Sequence, residues 1–380
     1  MKHLYTLIVM GLLFSCSSER NTGERDFAKM RFSLDTVMVD PGEEIINLKN
    51  RLFLSVLSSD KKLLYNFDPA KTVFEKINLD RLVLEEKIPF EKEGPNGTGQ
   101  YLSNISMDKN NQLQLTNYQS TGIFTLKGQK IREIKLLKQV FEGDQLKDGE
   151  SFAPELFIST DGKKLFGLIR SYTEKGYALG VVDLESNILK RHELEDFSRT
   201  QDYHVKLVLS GNAMSIKGVI VRIQEHRGKY LISNEIFNTM VLYDPALDSL
   251  SYIRYDNTLT ENSKKGNYRK EVDSHQAFSK EINLIEQEIN FSAPLWDDDN
   301  KIFYRFSYQA KPLDENTEEH APQKYDIFLT ILDASFKVLG ESRLNALSKL
   351  PSKPFVKNGK IWLFENIDDE LGFVRLTVNR

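Results

Sequence analysis

The stretch "LFISTDGKKLFGLIRSYTEKGYALGVVDLESNILKRHEL", residues 156–194, decides the fold. Short runs rich in Leu, Ile, Val, Phe and Tyr alternate with clusters of Asp, Gly, Ser and Asn. Such runs fit the pleated, half-buried surface of a strand, and such clusters supply the backbone geometry and local hydrogen bonds of turns. The order reads strand, tight turn, strand, longer loop, strand, tight turn, strand.

The same order recurs along the chain. "INLKNRLFLSVLSSDKKLLYNFDPAKTVFEKINL" (46–79) and "NISMDKNNQLQLTNYQSTGIFTLKGQKIREI" (104–134) precede the opening stretch. "VRIQEHRGKYLISNEIFNTMVLYDPALDSLSYIRY" (221–255) follows it. "PLWDDDNKIFYRFSYQ" (294–309) is completed by "YDIFLTILDASFKVLGESRL" (325–344), and "KPFVKNGKIWLFENIDDELGFVRLTVN" (353–379) comes last. A marker ends the expected third strands: Phe67-Asp68, Val182-Asp183, Tyr243-Asp244 and Leu332-Asp333, with Lys127-Gly128 in the second unit. Units of four strands repeated at tens of residues are the mark of propeller blades. The last unit is one strand short, and "MRFSLDTVMV" (30–39) is a spare strand ahead of the first. Pairing the two closes the ring and removes an open sheet edge. The expected fold is all-β: a six-bladed β-propeller over 30–380, closed by the N-terminal strand, with a helix-bearing insertion between blades 4 and 5. A β-sandwich or several small β domains is the competing arrangement, and the matched deficit and surplus at the two ends favour the ring.

The chain has 380 residues, a net charge of −4 and 40% hydrophobic residues. That balance supports a large core and excludes a basic nucleic-acid footprint. Its one cysteine, Cys16, has no intramolecular disulfide partner. Lys2 and His3 precede an apolar run, Leu4 to Phe14, about half the ~20 residues a membrane helix needs, which reads as a signal peptide. Leu13-Phe14-Ser15-Cys16 resembles the lipobox of bacterial lipoproteins. That resemblance implies cleavage after residue 15, lipidation of Cys16, and residues 16–29 as a polar tether to a membrane. The expected location is the cell envelope, with the outer membrane favoured.

The units resemble NHL and TolB-type six-bladed propellers. The whole chain resembles propeller lipoproteins of Bacteroidota whose domains have no known function, and "EGPNGTGQYLSNISMDKNNQL" (93–113) resembles the glycine-proline stretch those proteins carry before a blade. The resemblance implies a fold and an envelope setting, and it transfers no catalytic residue. Asp35-Thr36-Val37 and Asp248-Ser249-Leu250 resemble the short O-glycosylation signal of that phylum.

Loop lengths divide the ring into two faces. Turns joining strands one–two and three–four are short. Arg81 to Gln100, Lys138 to Ala153, Tyr255 to Phe291 and Gln309 to Lys324 are long and fall on the opposite face. Long loops gathered on one face of a compact fold point to binding. Val272, His275, Phe278, Ile282, Ile285 and Ile289 recur at three or four and predict a helix. Second strands are expected to end at the same face, at Leu57-Ser58, Asn117-Tyr118, Arg170-Ser171, Asn234-Glu235, Arg305 to Ser307 and Glu365-Asn366. Asn117, Arg170, Asn234, Glu235, Arg305, Glu365 and Asn366 are therefore the candidate ligand-binding residues. The same groups also suit hydrogen bonding to loop backbones. The expected partner is an envelope protein or a small ligand, bound without catalysis.

No HExxH and no G-x-S-x-G occurs. Asp297-Asp298-Asp299 lacks the ligand spacing of an EF-hand and reads as a solvated turn. The alternative function is a channel-centred, metal-dependent hydrolase of lactonase type. Asn117, Asn234, Glu235, Glu365 and Asn366 would supply oxygen ligands to Ca²⁺, and Arg170 and Arg305 would repel it.

Overall fold

The computed structural model describes residues 30–136, 139–171, 176–312 and 323–379. Residues 1–29, which hold the expected signal peptide, Cys16 and the expected tether, lie outside the described residues, as does most of the Gln309–Lys324 loop. The fold is all-β, built of antiparallel sheets in propeller-like fashion. Sheet I holds Ser55–Leu57, Leu63–Asp68, Val73–Asn78 and Val83–Pro89. Sheet II holds Asn104–Met107, Leu113–Thr116, Ser120–Phe124 and Lys130–Lys135. Sheet III holds Glu150–Ile158, Lys164–Ser171, Tyr177–Asp183 and Ile188–Glu193, with Glu142–Gly143 parallel on its outer edge. Sheet IV holds Val221–His226, Lys229–Asn234, Met240–Asp244 and Ser249–Ile253. Sheet V holds Leu295–Asp297, Ile302–Ala310, Tyr325–Asp333 and Val338–Arg343, with Asn290–Phe291 beside Ile302–Ala310. Sheet VI holds Phe355–Lys357, Lys360–Ile367 and Glu370–Asn379, and its fourth strand is the N-terminal Arg31–Met38. Arg31 pairs with Asn379 and Met38 with Gly372, so the expected pairing of first and last strands is formed.

Consecutive sheets share apolar cores. Phe74, Phe90 and Phe124 join sheet I to sheet II, with ring centroids 4.8 and 6.1 Å apart. Phe166 stacks on Tyr230 at 4.1 Å between III and IV. Phe303 and Phe336 of sheet V pack on Leu231 and Met240 of IV. Tyr304 and Leu329 of V meet Ile361 and Leu376 of VI. Trp362 and Phe373 of VI meet Leu64 and Ile77 of I, so the sixth sheet packs back on the first. Each buried side chain of this size contributes roughly 1.5–3 kcal/mol.

Local chemistry sets the turns. Asp183 Oδ1 accepts from the amides of Glu185 and Ser186, and Asp333 Oδ1 from Ser335 and Lys337. Each carboxylate thereby satisfies turn amides that no strand partner reaches. Gly180 is a close-approach position: a Cβ there would sit 2.6 Å from the Phe152 ring and 2.9 Å from Ile169.

Three expectations are corrected. Phe67-Asp68 ends the second strand of sheet I, not the third. The turn Ser58–Lys62 lies beside Asn111 and Asp298, in the one–two turns of sheets II and V, so Ser55–Leu57 is the first strand. Consequently the second strand ends at Asp68 and not at Leu57-Ser58, and Val83–Pro89, inside the expected long loop Arg81–Gln100, is the fourth strand. The remaining long loops also carry structure: strand Glu150–Ile158 begins within Lys138–Ala153. Residues 195–220 contain a 3-10 helix, Glu195–Tyr203, and two strands, Val205–Leu209 and Asn212–Lys217. Those strands form a small sheet with Glu271–Val272, which the sequence reading did not anticipate.

The predicted helix exists as His275–Gln287, between sheets IV and V. Ser274 caps it by accepting from the Ala277 amide, and its Ile285 packs on Val205 and Leu207 of the small sheet. Glu281 is the other buried residue of the helix and pairs with Arg269 at 2.7 Å, while His275 of the predicted stripe is exposed.

Candidate functional site

The predicted second-strand ends fall into two kinds. Asn117 and Asn234 cap the turns that follow them. Asn117 Oδ1 accepts from the amides of Gln119 and Ser120, at 2.8 and 2.9 Å. Asn234 Oδ1 accepts from Ile236 and Phe237, both at 2.9 Å. Arg305 is 1% exposed and is enclosed by acceptors. Its Nε donates to the Ser292 carbonyl at 2.9 Å, and its Nη1 to the Asn238 carbonyl and the Tyr255 hydroxyl at 2.5 and 2.9 Å. Its Nη2 donates to the Asn234 carbonyl at 3.3 Å. The Phe291 ring lies 5.2 Å away. The guanidinium thus ties the Asn234–Asn238 turn of sheet IV to sheet V.

Glu235 is also buried and accepts from the Ile220 amide at 3.1 Å. Burial pushes its carboxyl above the usual range. Arg305, Asn234 and Glu235 are brought together. Asn117 stands on sheet II, and half-buried Arg170 ends its strand on sheet III. Half-buried Glu365 pairs with Lys349 at 2.6 Å, and Asn366 beside it is exposed.

A second set of charged residues lies on the first strands and on the loop leading into one of them. Contacts between neighbouring sheets run through these innermost strands. Glu155 on sheet III and Arg222 on sheet IV form an ion pair at 3.1 Å through a single guanidinium nitrogen. Lys353, two residues before the first strand of sheet VI, donates its Nζ to the Phe53 carbonyl of the loop entering sheet I, at 3.2 Å. Its surface remains open to water. Desolvation and the positive charge of Arg222 lower its pKa to about 8. The sequence reading missed these three residues. The available signal was Val221-Arg222-Ile223, a charge between two buried residues on a first strand.

Lys264 was also missed. It lies 3% exposed below the helix His275–Gln287, donating to the Ile285 carbonyl at 2.6 Å. Burial lowers its pKa to about 8.

Two cavities open at the short-turn end. One, of about 310 Å³, lies between sheets II, III and IV and is lined by Met107, Gln114, Phe157, Phe166 and Tyr230. The other, of about 170 Å³, holds Asp297, Asp298 and Asp299 with Lys61 and Lys357. Asp297 is fully buried there, accepting from the amides of Asp299 and Asn300 and from the Tyr304 hydroxyl, so it is a structural corner and not a solvated one. Among the described residues no group of three or more His, Cys, Asp and Glu side chains is arranged to hold a metal ion.

The strongly exposed aromatic residues lie elsewhere. Phe53, Tyr101 and Tyr118 are 62%, 77% and 73% exposed, on the loops entering sheets I and II and on the two–three turn of sheet II. Ile45 and Val140 stand out on loops of the same face.

A member of the DUF4221 family from Bacteroides vulgatus ATCC 8482 is similar in fold, with a TM-score of 0.66 at 13% identity, covering 93% of this chain and 99% of its own. The β-propeller domain of Cps50 (Swd1) from Myceliophteria thermophila aligns over 92% of this chain and all of its own at 6% identity, with a TM-score of 0.39. No curated protein matches the chain in sequence. The model of the domain of unknown function DUF4221 matches residues 28–343, and the chain belongs to that family.

Proposed function

We propose that this chain is a cell-envelope lipoprotein, held on a membrane through Cys16, whose six sheets form a six-bladed propeller with a helix-bearing insertion between blades 4 and 5. The propeller binds a partner at its long-loop face and catalyses no reaction. The observation that carries this reading is the exposure of Phe53, Tyr101 and Tyr118 on one face. Aromatic side chains left in water cost free energy in the isolated protein and anchor interfaces when covered. Tyr supplies a large rigid contact area with a polar tip, which suits a surface that must stay soluble until a partner arrives. The long loops and the small sheet enlarge that face, while the turns at the other end are short and capped by their own carboxylates.

The test is capture from envelope extracts by cross-linking the full chain, compared with the triple variant Phe53→Ala, Tyr101→Ala, Tyr118→Ala. The variant is expected to melt like the parent and to lose the captured partner. Retention of the same partner by a folded triple variant overturns the reading. Metabolic labelling with an alkyne fatty acid tests the anchor: label and membrane association should both vanish in Cys16→Ala. Small-angle scattering tests the ring, which calls for a radius of gyration of about 20 Å.

A further inference from the structure

We propose that the cavity of about 310 Å³ between sheets II, III and IV binds a neutral sugar ring of the size of one monosaccharide. The site goes beyond the partner-binding face proposed above: it opens at the short-turn end, and Phe53, Tyr101 and Tyr118 stand on loops at the other. Two buried polar side chains flank it. In a strand, successive side chains point to opposite faces. Leu113 and Leu115 of sheet II pack into the core shared with sheet I, so Gln114 between them is turned toward sheet III. Leu231 of sheet IV packs toward sheet V, so Tyr230 beside it is turned toward sheet III as well, where it stacks on Phe166 at 4.1 Å. Gln114 and Tyr230 are 4% and 5% exposed, and both line the cavity at the end of the first strand of sheet III.

Both side chains have hydrogen-bonding capacity to spare. Gln114 Oε1 accepts from the Ser106 hydroxyl at 3.2 Å, and among the described residues nothing accepts from its Nε2 or pairs with the Tyr230 hydroxyl. Neither atom is sealed: each is reached from open space, and for side chains this buried that space is the cavity. Burial, with Glu225 and Asp161 close by, holds the Tyr230 hydroxyl above its usual range, so it stays protonated and able to donate. Charges at the mouth are largely committed. Lys109 pairs with Glu225 at 3.4 Å, Asp108 accepts from the amides of Asn110 and Gln112, and Asp161 accepts from that of Lys163. Lys164 is exposed there, where water screens a lone ammonium. The interior therefore suits a neutral ligand. Met107, Phe157 and Phe166 supply its apolar wall. A sugar ring turns C–H groups to such a wall and offers hydroxyls, which both donate and accept, to Gln114 and Tyr230. An apolar ligand would leave those two groups unpaired. The volume stands at the low end of small-ligand pockets, about 300–1,000 Å³, which limits the occupant to one ring.

The experiment is saturation-transfer NMR on the full-length chain in a deuterated phosphocholine detergent, which carries no sugar. The probes are glucose, galactose and N-acetylglucosamine, each free and as its methyl glycoside. Transfer to at least one is expected. Binding of the free sugar alone identifies a soluble ligand, and equal binding of its glycoside identifies the end of a glycan chain. Tyr230→Phe, which keeps the ring on Phe166, and Gln114→Leu should each weaken binding by about fivefold, the worth of one hydrogen bond. Absence of transfer to every sugar overturns the proposal, as does equal affinity in the folded double variant. Tighter binding of phenol or of glucuronate than of any neutral sugar overturns it too.

Discussion

Arg305 distinguishes a structural polar residue from a ligand-binding one, and its replacement gives a clear number. Arg305→Met keeps the apolar stem and removes the guanidinium. The Ser292 and Asn238 carbonyls lose donors at 2.9 and 2.5 Å, and the Asn234 carbonyl loses a weaker one at 3.3 Å. A hydrogen bond to a charged group contributes about 1.5–3 kcal/mol, so the two short ones alone are worth roughly 3–6 kcal/mol. The contact with the Phe291 ring adds about 1 kcal/mol. Relief of the cost of burying a cation offsets part of this. The expected net loss is about 3–4 kcal/mol, read from urea unfolding with an unchanged slope. Arg305→Lys should recover only part of it, because one ammonium does not span acceptors in sheets IV and V. A loss below about 1 kcal/mol, together with lost partner binding, would refute this reasoning and return Arg305 to the binding site.

Other outcomes follow from the same geometry. The pKa of Lys264 is about 8 in the folded chain and near 10.5 when free, so between those values the unfolded chain holds the extra proton. Stability should therefore rise from pH 8 to 10.5 by roughly 3 kcal/mol, and Lys264→Met should flatten that rise in urea titrations. Gly180→Ala brings a methyl against Phe152 and Ile169 and should cost about 1–3 kcal/mol in the same assay. Deleting residues 30–38 removes the partner of Glu370–Asn379 and bares an edge strand. The truncated chain should lose its cooperative melt and aggregate, as seen by calorimetry and light scattering.

Much of the architecture was legible because turns are local. An aspartate that accepts from the amide two residues ahead needs no distant partner, so Asp183, Asp244 and Asp333 mark their corners in the sequence itself. The same locality misplaced sheet I. Asp68-Pro69-Ala70 resembles Asp244-Pro245-Ala246, and both aspartates accept from the alanine amide two residues on. Yet one turn follows a second strand and the other a third. Strand number within a sheet is a property of pairing, which a turn does not encode. A better guide was present. Ser58 and Ser159 each donate to an aspartate two residues on, and both accept from the amide that opens the next strand. That shared turn marks Ser55–Leu57 and Glu150–Ile158 as equivalent first strands.

The candidate site was less legible, for a related reason. Polar residues at the ends of second strands were found as polar residues, but sequence does not distinguish a group that serves its own backbone from one that faces outward. Asn117 and Asn234 spend their carbonyl oxygens on the next turn, and Arg305 spends its donors on a neighbouring sheet. Glu155 and Arg222 pair between sheets III and IV from two first strands, a contact that no local pattern encodes. Phe53 and Lys353 are separated by 300 residues, and the packing of sheet VI back onto sheet I brings them together. Pairing of Arg31–Met38 with Glu370–Asn379 is thus a condition for that contact as well as for the core. Loosening that strand should open sheet VI before sheets I to V lose their own packing. Hydrogen exchange of a Val37→Asp variant is expected to show Lys360–Ile367 and Glu370–Asn379 losing protection first. Protection of those strands equal to that in the parent would contradict the role of Arg31–Met38 in holding sheet VI to the rest of the fold.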